Sequence, residues 1–225
     1  MSEPELTFIR ETKTGEREIP ARVDIMVKGD PGSGIHTLFS GWAFRYLQLR
    51  EGCRQILDIL LPGDLIGLQT QMTGKIRHSV RAITDVRLCN LDGGRFHTMF
   101  KAHPGLGEAL VSTLLVEEHR ADIRLLLLGR QRPTERLGYL LLELRERLQR
   151  RGEIVDSGYV LPLTYEHLAD TIGVSRSQIG ASLREMQARQ WASLIDRRLT
   201  FINPAAMMAE CEYSPLPDPA LRTLI

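Results

Sequence analysis

Apolar residues follow two rhythms along this chain, and the change between them divides it. Up to about residue 100 they come in short runs: VDIMV (23–27), HTLFSGWAFRYLQL (36–49), RQILDILL (54–61) and SVRAITDVRLCNL (79–91). Turns are marked by GDPGSG (29–34), REG (50–52) and PGD (62–64), with Asp64 read as a turn residue. Regularly spaced short strands with this punctuation predict an antiparallel barrel or sandwich. In 54–61 the two alternating sets are Ile56, Asp58, Leu60 and Leu57, Ile59, Leu61. Both are largely apolar, so that strand is expected to be covered on both faces. Residues 1–20 lack such a pattern and are expected to form a flexible leader.

After about residue 93 the rhythm becomes helical. GGRFHTMFKAH is a short amphipathic segment stopped by Pro104, and a long helix is predicted from Leu106 to about Leu128. Val111, Leu114, Glu118, Ala121, Leu125 and Leu128 alternate spacings of three and four, the seam of a two-stranded coiled coil. Leu115, Ile123, Leu126 and Leu127 suggest a second face resting on the helix's own domain. Dimerisation through 106–128 is therefore expected. GRQRP (129–133) reads as a hinge, with Pro133 suited to the first turn of the next helix. Thr134–Arg150 follows, with Leu137, Leu140, Leu141, Leu144 and Leu148 on one side.

TYEHLADTIGVSRSQIGASLREM (164–186) then reads as two short helices broken by Gly173, which can turn the chain at positive φ. Leu168 and Ile172 give the first a buried face, with Ala169 small enough for close approach. Ser175 is a candidate N-cap, with Gln178 completing a capping box. Ile179, Leu183 and Met186 form the second helix's apolar stripe, while Arg176, Ser177, Gly180, Ala181 and Arg184 occupy its other side. This is a helix-turn-helix, which sets a second helix into the DNA major groove, although an ordinary αα-hairpin shares much of the pattern. SLIDRRLTFINP beyond it reads as strand, turn, strand, with Asp196-Arg197-Arg198 at the tip. A hairpin behind a recognition helix is a wing, and a basic tip suits phosphates. PAAMMAECEY can add a helical turn or two before a Pro-rich tail, giving a C-terminal tail over 204–225.

The net charge is only +1, so any DNA affinity must come from local placement of Arg and Lys. Cys53, Cys89 and Cys211 are widely spaced without a CxxC pair, which argues against a disulfide scaffold, a zinc site or a cysteine-ligated cluster. The polar N-terminus shows no secretion signal, and no apolar run reaches membrane-spanning length. A cytoplasmic protein without membrane partners is expected. No phosphate loop, nucleophile elbow or metal-ligand spacing supports an enzyme.

β-rich half, long helix, hinge and winged helix-turn-helix, in that order, resemble the Crp/Fnr family of bacterial transcription regulators. IHTLFSGWAFRY is similar to the family's strand–Gly–strand signature, LPGDLIGL to its Pro-Gly-Asp turn, and LTYEHLADTIGVSRSQIGASLREM to its helix-turn-helix. The resemblance covers about residues 20–203, and RQILDILLPGDLIGLQ looks most like a subgroup without an assigned small molecule. It implies an α+β fold with these parts. A cyclic-nucleotide-binding-like β-barrel (jelly roll) and dimerisation helix span 21–128, and a winged helix-turn-helix spans 133–203. Implied partners are double-stranded DNA, a second copy of the chain and RNA polymerase.

In nucleotide-binding members a Gly-Glu-Leu segment holds the ribose and an Arg-Ser/Thr pair the cyclic phosphate. Here Leu68 follows Gly67, and Leu cannot accept hydrogen bonds from ribose, which speaks against cAMP by that mode. Arg77, His78 and Ser79 are the loosely matching effector candidates, with Lys75 and Arg81 nearby for some other anion. A solvated basic strand end is the plainer reading. The iron–sulfur branch needs an N-terminal cysteine cluster, which is missing, and His36, His78, His97 and His103 show no haem-ligand placement. No cofactor is expected.

For DNA, Arg176 matches the family's groove-reading arginine. Ser177 and Ala181 stand where many members carry Glu and Arg, so a different half-site is expected. Gln178 has two competing duties, the capping box and a base or phosphate contact. Thr164, Ser175, Arg184, Arg197 and Arg198 are backbone-contact candidates. The expected function is a dimeric, sequence-specific regulator reading a pseudo-palindrome through 176–188, with or without an effector in the barrel. The alternative is an effector-binding module whose helical domain contacts a protein.

Overall fold

A computed structural model describes residues 2–31, 34–154 and 158–216. The chain forms two compact units, one running up to His119 and the other Arg120–Leu216.

The first unit begins with α1 (Glu3–Thr12) and β1 (Lys13–Ile19), followed by β2 (Asp24–Met26), β3 (Ile35–Ser40), β4 (Ala43–Gln48), β5 (Arg54–Leu60) and β6 (Leu65–Ile66). Then come α2 (Leu68–Thr73), β7 (Ser79–Ala82), β8 (Val86–Leu91), α3 (Gly93–Ala102) and the first part of α4 (Pro104–Arg130). Two four-stranded antiparallel sheets, ordered β1-β8-β3-β6 and β2-β7-β4-β5, make the expected jelly-roll sandwich. Leu38, Leu88, Ala43, Leu60 and Val80 belong to the core it encloses. β5 is covered on both sides in its second half, as its doubly apolar pattern predicts, with Asp58 buried opposite Arg45. Asp64 closes its turn by accepting the Leu61 N–H at 2.9 Å.

The expected leader is largely ordered. α1 sets Phe8 and Ile9 against Ile35, Met99, Leu106 and Leu110, and β1 pairs with β8 as an edge strand. β1 carries KTGEREI and is exposed at every position but Ile19, so backbone pairing rather than an apolar face holds it. Charges along such an edge also discourage pairing with other chains.

α4 is longer than expected, running through Gly129 to Arg130. Its inward stripe differs from the sequence-based one. In the first unit Leu106, Leu110 and Thr113 are buried; in the second, Arg120 and Leu127 are. Leu115 and Leu126, expected on the domain side, are 58% and 57% exposed, and join the outward Val111, Leu114 and Leu125. Polar residues occupy inward positions because they find ionic or hydrogen-bond partners there, and this frees leucines for the outside.

The second unit continues with α5 (Pro133–Gln149), β9 (Gly158–Val160), α6 (Tyr165–Ile172), α7 (Arg176–Ala188), β10 (Ala192–Ile195), β11 (Arg198–Phe201) and α8 (Pro204–Glu210). Only Gln131 and Arg132 lie outside helix between α4 and α5, so the expected 129–133 hinge narrows to two residues. Pro133 sits in the first turn of α5, and Leu137, Leu140, Leu141, Leu144 and Leu148 are buried as predicted. The start of the expected tail is part of this fold: Met207 and Cys211 are fully buried, and Tyr213 meets Tyr139 edge-on at 4.8 Å. The rest of that tail, 217–225, lies outside the described residues.

Candidate nucleic-acid interface and effector cavity

Local hydrogen bonds build the helix-turn-helix. Thr164 caps α6: its hydroxyl accepts the His167 N–H at 3.2 Å, and His167 Nδ1 accepts the Thr164 N–H at 3.3 Å. Gly173 ends the helix at φ +69°, where a Cβ would be strained, and its N–H reaches the Ala169 carbonyl at 2.9 Å. Ser175 Oγ accepts the Gln178 N–H at 3.3 Å, and Gln178 Oε1 accepts the Ser175 N–H at 3.2 Å. Both orphan donors at the start of α7 are thus satisfied.

The stripe that α7 buries is Ile179, Ser182 and Met186, with Leu183 only half-buried. This corrects the expected apolar stripe. Ser182 is tolerated inside because Thr134, also buried, lies hydroxyl to hydroxyl at 3.2 Å. The Thr134 hydroxyl is also 2.6 Å from the Glu185 carboxylate. That bond, with help from Arg189, holds Glu185 below the usual carboxylate range. Arg189 pairs with Glu185 and reaches Glu135 at 3.5 Å and Glu210 at 3.6 Å. The inward side of α7 is therefore tied to α5 and to α8.

The outward side is open. Arg176, Ser177, Gln178, Ala181 and Arg184 are exposed, as are Thr164 and Ser175. A Cβ added at Gly180 would meet Arg184 Nη1 at 3.6 Å and Tyr165 Cε2 at 3.8 Å, so Tyr165 at the start of α6 borders the same face. Sequence reasoning passed over Tyr165. Its 45% exposure is unusual for a large aromatic, and its place directly after the Thr164 cap was the available signal. The wing is a three-stranded sheet ordered β10-β11-β9. Asp196 and Arg197, at φ +47° and +63°, form its two-residue tip, the twist a tight hairpin requires. Arg197 and Arg198 are both exposed there. All eight predicted DNA-contact residues thus lie exposed on the second unit, at the α6 start, the α7 face and the wing tip.

In the first unit, a cavity of about 50 Å³ is lined by Arg45, Gly67, Leu68, His78, Thr113 and Glu117, among others. Arg45 Nη1 lies 4.0 Å from Glu117 Oε2. Burial, and then the Arg45 charge, push His78 down to about 4. Of the three effector candidates only His78 faces this cavity. Arg77 is exposed, and the buried Ser79 hydroxyl accepts the Lys28 N–H at 3.0 Å, tying backbone together. Arg81 is committed to Asp24 through bonds of 2.8 and 2.7 Å, which hold the Asp24 carboxyl below its ordinary value. His36 is buried against Asn90 at 2.8 Å, and His103 lies against the Phe8 ring; the His97 side chain is outside what the structure describes. No group of metal-ligating side chains occurs among the described residues, and no described helix is long and apolar enough to cross a membrane.

A jelly-roll sandwich, a long helix and a doubly capped helix-turn-helix with an arginine-tipped wing define a DNA-binding protein of the winged helix-turn-helix type. Comparison with known proteins agrees. Residues 16–103 match the cyclic nucleotide-binding domain and residues 135–210 the Crp-like helix-turn-helix domain. The chain is 26% identical over 197 residues to the transcriptional activator protein FnrL of Cereibacter sphaeroides, covering 86% of this chain and 79% of that one. It is 25% identical over 180 residues to the nitrogen fixation regulation protein FixK of Bradyrhizobium diazoefficiens, covering 80% and 75%. The solved structure of FixK2 from Bradyrhizobium japonicum shares the fold, with a TM-score of 0.79 at 21% identity over 90% of this chain and 98% of that one. The chain belongs to the Crp/Fnr family and is a transcription regulator of that type, with a helix-turn-helix DNA-binding domain.

Proposed function

We propose that this regulator acts as a cytoplasmic homodimer that reads a pseudo-palindromic DNA site with two copies of α7. The observation that carries the reading is Arg176: exposed at the first position of a capped helix, on a unit whose wing tip is also arginine. A guanidinium there can bond O6 and N7 of a guanine together, worth ~1–3 kcal/mol of base discrimination. Thr164, Ser175, Arg184, Arg197 and Arg198 take backbone contacts, to which Tyr165 is added. Ser177 and Ala181 leave the rest of the reading face small, so the half-site differs from that of relatives with Glu and Arg there. Ala181 offers a methyl group suited to a thymine methyl.

The same face groups Arg176 and Arg184 with the arginine-tipped wing of the same unit, a local basic placement that favours DNA over a protein partner. The outward row on α4, with Leu125 72% and Val111 51% exposed, supplies the dimer contact. RNA polymerase is the further partner that the family implies.

The cavity does not suit cAMP by the family's mode. Leu68 stands at the ribose-binding position, Glu117 would repel a phosphate, and about 50 Å³ is far below the ~300–1,000 Å³ of a small-molecule site. The Arg45–Glu117 pair lines that cavity, and the reading adopted is a regulator that binds DNA without a nucleotide. Footprinting on genomic DNA tests the core of this. Wild-type dimer gives discrete protected sites without added nucleotide, and Arg176→Ala, still dimeric, does not. Equal protection by both proteins would reject the reading.

A further inference from the structure

We propose that Glu143 is a positioning residue for DNA reading: it clamps the reading head to the end of α4, and so sets the spacing between the two copies of α7. The proposal rests on the dimeric reading above.

The division between the two units falls inside α4, at Arg120, rather than at the Gln131–Arg132 joint. The last part of the long helix belongs with the head, and a buried ion cluster joins the two. Arg120 donates to Glu143 Oε1 from Nε at 2.9 Å and from Nη2 at 2.5 Å. Arg124, one turn on, donates to the same oxygen at 3.2 Å, and Arg147 of α5 lies 3.6 Å away. Arg120, Arg147 and Glu143 expose 4%, 6% and 8% of their side chains. One carboxylate thus holds guanidiniums on two helices, three of the four side chains being buried, so that a missing partner leaves buried charge uncompensated.

The joint is held in addition. Arg136 donates to the Gln131 carbonyl at 2.8 Å and to the Ile172 carbonyl, near the end of α6, at 3.2 Å. The backbone torsions of Gln131 and Arg132 do not by themselves select one orientation. Side chains crossing from α4 to α5 do it, and Glu143 is the acceptor they share.

Fixing the head matters because the second half-site is engaged at an effective concentration set by geometry. A head held rigidly on the dimer helix gains avidity only for half-sites at one spacing and one rotation around the duplex. A loosened head loses that gain but becomes tolerant of other spacings. Its α7 still reads a single half-site.

The test measures binding of full-length protein to the inverted repeat selected by the wild type. Duplexes with the central spacer lengthened or shortened by one and two base pairs, and a single half-site, complete the series. Glu143→Gln and Arg124→Met are compared, the second because it leaves Glu143 with Arg120 and Arg147 if the first fails to fold. For folded, dimeric variants the proposal expects affinity for the native spacing to fall roughly tenfold or more, a flattened spacer profile and unchanged half-site affinity. Wild-type spacer preference in a folded variant, or a proportional loss on the half-site, would overturn it. Arg176→Ala is the control: if its half-site affinity stays intact, the DNA-reading assignment fails rather than the clamp.

Discussion

Ser175 and Gln178 satisfy each other at the start of the recognition helix, each accepting the other's backbone N–H, at 3.3 and 3.2 Å. The Gln178 carboxamide oxygen is therefore engaged in capping, one of the two duties its position allows. Replacing Ser175 with Ala should cost ~1 kcal/mol of stability in denaturant titration. Gln178→Ala should lower stability by less while leaving the preferred base at every operator position unchanged. A changed base preference in Gln178→Ala would show that the side chain leaves the cap to read DNA.

The wing tip separates affinity from specificity. Arg197 lies beyond the last strand pair, Ile195 with Arg198, and both arginines are exposed and suit phosphates rather than bases. Each Arg→Ala change should weaken binding evenly across operator variants and reduce the slope of log affinity against log salt by about 1. Arg176→Ala should instead relax discrimination at one base pair. Titrations at several salt concentrations distinguish the two patterns.

His78 gives the first unit a pH signature. Its folded pKa of about 4 lies below its ordinary 6.5, so the unfolded chain binds this proton over a range where the folded chain does not. The contribution is full above about 6.5 and is lost as pH falls toward about 4. Melting temperature should thus drop between about pH 7.5 and about pH 5, and drop less in His78→Gln. Equal drops in the two proteins would show that His78 is as easily protonated folded as unfolded.

Gly67 is fixed by space as well as by φ. It sits at φ +87°, and a Cβ there would stand 2.2 Å from the Gly34 carbonyl oxygen. Gly67→Ala should destabilise the sandwich by about 2 kcal/mol or more. Chemical denaturation checks this, and a neutral effect would mean that the 34–35 backbone yields easily.

What was legible in the sequence was local. Gly173, the Ser175 cap and the Asp196-Arg197 tip declare themselves because each solves a backbone problem within a few residues. The antiparallel barrel or sandwich showed in its turns and alternation, and the jelly-roll form came from the family resemblance. β1 did not, because an edge strand held by backbone pairing needs no apolar face. α4 misled in a more instructive way. Its exposed seam is leucine-rich, and its inward stripe holds Thr113 and Arg120, so reading hydrophobicity as burial put Leu115 and Leu126 on the wrong side. Arg120 is buried because Glu143 meets it from another helix, and a partner 23 residues away leaves no mark in periodicity. Ser182 is hidden from pattern reading for the same reason, its partner being Thr134.

Selection of duplexes from a random pool by the purified dimer, without nucleotide, tests the central claim most directly. The account predicts an inverted repeat whose half-site centres lie about one helical turn apart. Each half should carry a G·C pair whose enrichment disappears with Arg176→Ala. Enrichment of a single undivided site, or the same motif from both proteins, would contradict it.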